Sequence, residues 1–356
     1  MNVSEEQLEN IRMIRESASA FASRESLKRV RESRYKTPGF SRDIWLEMAE
    51  NGWIGLALPE ALGGSGLGAP EYCALQEVLG AALVPEPLIA GVLAARMLEG
   101  TYLAQQLSGE KLILLAWQES VNTLASDSDK TRIEGGRVTG RKRFVPMAAG
   151  ADGYLVTTST GMILIDADAE GLSVDTVLTQ DGGHFGTLRL SDVPGEEVPL
   201  SPDALCDAID EAALATGAYL LGVAERAFEI TLDYLGIRKQ FGKVIGSFQA
   251  LQHRAVDLKL QLALTRASLE NAALTWESDA NLQQRRAAVS QAKVRAVESA
   301  SLVTREAIQL HGAIGYTDEY DVGLYLRKAM TLANLYGSAA THRRRFAEIA
   351  PRFSEA

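Results

Sequence analysis

The residue types best able to do chemistry fall in two short segments: Arg238-Lys-Gln-Phe-Gly-Lys243, with Gln249 just beyond it, and Gln309-Leu-His-Gly-Ala313. Arg238 offers a rigid fork of charged donors suited to phosphate oxygens. Phe241 supplies a ring face, Gln240, Gln249 and Gln309 supply amides, and Gly312 lets a ligand come closer to the backbone than a Cβ would allow. That set suits an anionic ligand. Read singly, Arg238 and Lys239 are ordinary charges at a helix C-terminus. Read with the second segment, they form part of one anion site.

Proton transfer needs a further group. Asp210 and Glu211 lie near the start of a long helical pattern, where acidic side chains commonly complement the helix dipole; Glu211 is also a candidate general base. Tyr336, in Leu335-Tyr-Gly-Ser338, is a phenol whose ordinary pKa of about 10 makes it a poor base at neutral pH. His184, His253, His311 and His342 have no companions at metal spacing, so no metal is expected. His253 and His311 read as packing or interface residues, and His342 with Arg343-Arg-Arg345 as a solvated basic helix end.

Three textures of sequence must position these groups. Residues 1–110 are helical, with Ile44, Trp45, Met48 and Ala49 on one face and a helix that stops at Ala81-Ala-Leu-Val-Pro-Glu-Pro87. The glycine-rich Leu58–Gly68 run lacks the Lys-Ser/Thr of a phosphate loop and reads as a connector. Residues 111–200 break into short apolar runs punctuated by Gly135-Gly136 and Asp181-Gly-Gly183, a small all-β domain. From Ser201-Pro-Asp203, residues 201–356 are helical again. Leu214, Ala218, Leu221, Phe228, Leu232 and Leu235, then Leu251, Leu258, Leu262 and Leu269, draw apolar faces long enough to require an antiparallel four-helix bundle.

A chain of 356 residues supports a sizeable core without staples. Cys73 and Cys206 read as incidental thiols. The net charge of −10 argues against a nucleic-acid partner. The first residues lack the pattern of a signal peptide and no apolar run approaches a membrane span, so a soluble, cytoplasmic protein with no membrane partner is expected.

The Arg238–Lys243 and Gln309–Tyr316 segments resemble the flavin-binding signature and later glycine turn of acyl-CoA dehydrogenases. Ile44–Trp53 with Pro59-Glu60 and Gly63-Gly64, and Val138–Val145 with Ala151-Asp152, resemble earlier segments of the same family. The resemblance implies a mainly α fold with a central β domain: an N-terminal helical domain, a small β-barrel and a C-terminal four-helix bundle. It also implies FAD, an acyl-CoA substrate and α,β-dehydrogenation, with electrons passed to an electron-transfer flavoprotein. Arg238, Gln240, Phe241, Gln249, Gln309, Gly312 and Ala313 are the implied cofactor-binding residues, reaching the ADP half of a neighbouring subunit's FAD.

The departures are as informative. Tyr336 stands where the family carries its glutamate, and Ala313 where it has a second glycine. Ala116-Trp-Gln-Glu-Ser120 and Val145-Pro-Met147 replace the loop and strand that meet the flavin ring. Three readings follow. The chain is the base-less subunit of a heteromeric enzyme, resembling actinobacterial α2β2 steroid side-chain dehydrogenases, with a second dehydrogenase-like subunit as partner. Or it is a self-sufficient homo-oligomer using Glu211. Or it is a structural paralogue without flavin. Ala212, Ala213, Ala215 and Gly217 hint at room for a wide acyl group.

Overall fold

The computed structural model describes residues 4–24, 27–121, 123–124 and 130–350. Its helices are α1 (Glu5–Arg24), α2 (Leu27–Ser33), α3 (Arg42–Glu50), α4 (Ala69–Ala81), α5 (Leu88–Ala95), α6 (Gly100–Leu107), α7 (Pro202–Ile237), α8 (Gln249–Glu277), α9 (Leu282–His311), α10 (Val322–Leu332) and α11 (Ala339–Ile349). Its strands are β1 (Ile113–Ala116), β2 (Arg132–Glu134), β3 (Arg137–Pro146), β4 (Gly153–Thr157), β5 (Met162–Asp166), β6 (Leu172–Leu178), β7 (His184–Pro194), β8 (Glu196–Val198), β9 (Lys239–Gln240) and β10 (Lys243–Val244). Mainly helical with central sheets, this is the expected fold class. The backbone divides into two compact units. One joins Met1–Val30, Ala69–Val84 and Ala213–Ala356; the other joins Arg31–Gly68 and Pro85–Ala212.

The first unit is built on α7, α8 and α9, whose lengths of 36, 29 and 30 residues follow from unbroken apolar faces. Pro202 opens α7 where its missing N–H costs nothing. The loop to α9 ends in a capping box, with Asn281 accepting from the Gln284 amide and the Gln284 side chain reaching back. α9 packs against α8, α10 and α11, so a fourth rod broken at residues 333–338 completes the bundle. At Gly217 a Cβ would stand 2.9 Å from Leu269 Cδ2, so this small residue admits a neighbouring helix and not an acyl group. α4 crosses α7 still more closely: a Cβ on Gly222 would meet the Glu77 carbonyl at 1.9 Å, and one on Gly80 the Tyr219 carbonyl at 2.1 Å. An ion network closes the same region. Glu77 takes both guanidinium groups of Arg15 (2.9 and 2.8 Å) and Arg266 (2.9 and 2.5 Å), and Arg266 also reaches Glu225 at 2.7 Å.

The second unit holds two four-stranded sheets, ordered β1-β4-β5-β8 and β2-β3-β7-β6. β1 and β4 are parallel, whereas every other pairing is antiparallel. The apolar runs of β1, β4 and β5 are buried almost throughout, as strands covered on both faces must be. Gly135 and Gly136, with φ of 57° and 72°, make the two-residue turn between β2 and β3. The Leu58–Gly68 run is the connector expected, apart from a short 3-10 turn at Glu60–Leu62. Gly64 is required there because a Cβ would lie 2.2 Å from the Leu58 carbonyl. Neither Cys73 nor Cys206 is in a disulfide. Among the described residues no helix is long and apolar enough to cross a membrane, and no cluster of potential metal ligands occurs.

Candidate functional site

The Arg238–Lys243 segment is a miniature hairpin. β9 and β10 pair Gln240 with Lys243 and Lys239 with Val244, leaving Phe241-Gly242 as the turn. Both turn residues have positive φ, 53° and 79°, the signature of a type I′ turn. A phenylalanine rarely adopts that conformation. Here it lifts the ring to 89% exposure, with only an edge contact to Phe248 at 6.2 Å. Lys243 lies over the Phe248 ring at 4.2 Å, which steadies the base of the hairpin.

The second segment meets the first through rings. His311, at the end of α9, stacks on Tyr234, one turn before Arg238, with centroids 4.4 Å apart, and Tyr320 lies against His311 at 4.8 Å. The His311 Nδ1–H donates to the Ala307 carbonyl at 2.7 Å, and burial pushes its pKa down, so the ring is a neutral packing group. Gly312 then turns the chain with φ 68° and ψ −142°, a region that is essentially glycine's. Ala313 sits in the following 3-10 turn without a positive φ, so the family's second glycine is not needed by this backbone. Arg238, Gln240, Phe241, Gln249, Gln309, Gly312 and Ala313 are all exposed. The side chains of Arg238, Gln240, Gln249 and Gln309 make no hydrogen bond or ion pair with any described residue. Sequence reasoning missed the Tyr234–His311–Tyr320 cluster, because its members are far apart along the chain.

The two candidate bases are placed differently. Glu211 lies well inside α7 and is buried, which removes the helix-dipole explanation. Both its oxygens are taken by Arg96, Nε to Oε2 at 2.6 Å and the second nitrogen to Oε1 at 2.5 Å. Tyr336 is 2% exposed, with φ 55° and a hydroxyl that has no partner among the described residues. Burial raises its pKa further above the phenol range, so at neutral pH it holds its proton. The Tyr336 carbonyl accepts from His342 Nε2 at 2.9 Å, which makes His342 a buried, neutral anchor. This corrects the solvated reading of His342: only Arg343 and Arg344 of its neighbours point to water, Arg343 pairing with Glu298.

The sheet side shows a third kind of placement. Glu119 is gripped by buried Lys142 at 3.0 Å, by the Thr131 hydroxyl at 2.6 Å and by the Lys130 amide at 3.1 Å. Its burial would raise the carboxyl pKa, but these donors outweigh it and hold the group below the usual range. Pro146 has no N–H to give, and the Met147 N–H is spent on the His184 carbonyl. Asp152 holds Arg42 at 2.6 Å and the Leu112 amide at 2.7 Å, a structural duty.

Residues 8–103 match the acyl-CoA dehydrogenase N-terminal domain and residues 204–350 the acyl-CoA dehydrogenase C-terminal domain. The chain is 32% identical to acyl-CoA dehydrogenase IpdE2 of Mycolicibacterium smegmatis, across 94% of this chain and 96% of that one. It belongs to the acyl-CoA dehydrogenase family. Among solved structures it resembles a variant of the Tcur3481–Tcur3483 steroid ACAD, with 30% identity, TM-score 0.86 and coverage of 96% and 98%. The ChsE4–ChsE5 complex from Mycobacterium tuberculosis is also similar, at 25% identity, TM-score 0.83 and coverage of 98% and 97%. The chain is thus one of the FAD-dependent oxidoreductases that act on acyl-CoA thioesters. Against that cofactor the residues divide. The exposed donors and ring at the α7–α9 end fit an ADP moiety approaching from outside. The residues matching the ring-side segments offer few free groups, because Pro146, Met147 and Glu119 have none to spare or have committed them.

Proposed function

We propose that this chain is one subunit of a heteromeric acyl-CoA dehydrogenase. It lends Arg238, Phe241, Gln309 and Gly312 to a FAD seated mainly in a partner subunit, and that partner supplies the carboxylate base. The observation that carries this reading is the set of exposed side chains at the α7–α9 end, where four polar groups have no partner among the described residues while the Phe241 ring stands in solvent. Such groups suit a ligand held by another molecule. The likeness to two heteromeric assemblies, one described as a steroid ACAD, supports the subunit role and a CoA thioester of a bulky ring-bearing acid as substrate. An electron-transfer flavoprotein is the acceptor that the family resemblance implies.

In this reaction a carboxylate takes a proton from Cα of the thioester while the Cβ–H bond breaks with its electron pair, leaving a Cα=Cβ double bond. A bound FAD would supply the acceptor for that hydride. Neither candidate in this chain suits the base. Tyr336 keeps its proton, and Glu211 has both oxygens occupied by Arg96. The role left to this subunit is binding: Arg238 neutralises phosphate charge, Phe241 covers a flat ring, and the Gly312 turn admits close approach.

The test is Arg238→Ala in the assembled enzyme. Flavin retained after gel filtration should fall from about one per pair of unlike chains to below about a tenth of that, the scale expected when a charge-assisted bidentate contact is lost. Unchanged flavin content would remove the central assignment.

A further inference from the structure

α8 carries two apolar faces where a surface helix has one. The inner face, with Leu258, Leu262, Thr265 and Leu269, is buried. The outer face lies half a turn away: Val256, Leu260 and Leu264 are 57%, 55% and 55% exposed, and Ala263 and Ala267 are exposed with them. The run His253, Val256, Leu260, Ala263, Ala267, Glu270 advances by three, four, three, four and three residues. That is the spacing of a coiled-coil seam, here about 26 Å long. Apolar side chains repeated at that period on a solvent face mark a helix that pairs with another. At Leu264 the strip continues into a groove walled by Val294 and Phe346.

Side-chain size says what pairs with it. The large residues, Val256 and Leu260, occupy the first half of the seam, and the small ones, Ala263 and Ala267, the second. Laid parallel on a second copy, the seam would crowd Leu260 against Leu260 and leave a gap between alanines. Laid antiparallel, it sets Val256 against Ala267, Leu260 against Ala263 and His253 against Glu270. Both apolar layers then match a large side chain with a small one, as close packing requires, and the end layer pairs an imidazole with a carboxylate. The pattern is its own complement about a two-fold axis, which is the condition for an isologous contact. Antiparallel order also sends the two Arg238–Lys243 hairpins, each next to the start of its α8, to opposite ends of the contact. Each hairpin stays open to the flavin of its own unlike partner.

We infer that two copies of this chain pair antiparallel along the outer face of α8, so that like subunits meet here while unlike subunits meet at the flavin. This rests on the heteromeric reading above, and it makes the assembly two copies of each chain.

The test uses the co-purified two-chain enzyme. Val256→Cys with Ala267→Cys, too far apart on one helix to bridge each other, should give a disulfide-linked dimer of this chain under mild oxidation, and Val256→Cys alone should not. Val256→Glu with Leu260→Glu should halve the native mass to one pair of unlike chains, with one FAD per pair retained. Cross-linking by Val256→Cys alone, no cross-link with both cysteines, or a native mass unmoved by the glutamates overturns the inference. So does release of this chain from its unlike partner with loss of flavin, which would give the face to that partner. Flavin content of the parent assembly separates the two ideas: one FAD per chain sinks the shared-flavin reading, while the cross-link pattern still reports on the seam.

Discussion

At the scale of single residues, what matters is whether a group is free or already committed. Glu211 illustrates this. In the sequence it is an acidic residue near a helix start; in the structure its carboxylate is clamped by Arg96 from a segment 115 positions away. No local pattern announces such a pair. Removing one partner of a buried pair strands the other charge, so Glu211→Gln should destabilise the fold by about 3–5 kcal/mol. The double change Arg96→Met with Glu211→Leu should recover much of that in denaturant unfolding. If Glu211→Gln instead left stability intact while turnover fell by orders of magnitude, Glu211 would be the base. Phe241 makes the opposite point. Its place in the motif was legible, but its left-handed φ and near-complete exposure were not, because they arise from the two-residue turn that β9 and β10 impose.

At the scale of elements, the long apolar faces of α7, α8 and α9 were readable because burial must repeat with the helical period. The same holds for β4 and β5, whose apolar runs have no other use. β6 was not readable: its apolar residues are mixed with Ser173, Asp175 and Thr176 and it is mostly exposed, so it is a strand because β7 pairs with it. The α4–α7 crossing was equally hidden, since nothing in the local sequence sets Gly80 or Gly222 apart from other glycines. Gly222→Ala should force these helices apart and cost at least the 1–3 kcal/mol or so typical of overpacking, seen as a lowered Tm. A Tm unchanged within a degree would contradict the close crossing. The Glu77 network adds a pH signature. Burial alone would raise the Glu77 pKa, but hydrogen bonds from Arg15 and Arg266 outweigh it and the folded value lies below the ordinary 4.5. Its contribution is therefore complete above that value and lost as pH falls through the depressed one. The acid limb of the stability profile should become shallower in Glu77→Gln, and an unchanged limb would assign it to other carboxylates.

At the scale of the whole molecule, the family and its architecture were legible because several matched segments occur in the right order, each tied to a turn or face that the fold needs. The commitments that decide the chemistry were not: Glu211 to Arg96, Glu119 to Lys142, and the Tyr336 carbonyl to His342 all depend on packing between distant segments. The central claim is that this chain offers half of a flavin site. Its most direct test is flavin absorbance per chain together with native mass, for the protein purified alone and again after co-expression with a second dehydrogenase-like chain. Little flavin is expected on the chain alone, and one FAD per pair of unlike chains in the co-purified assembly. About one FAD per chain in a homo-oligomer would contradict it.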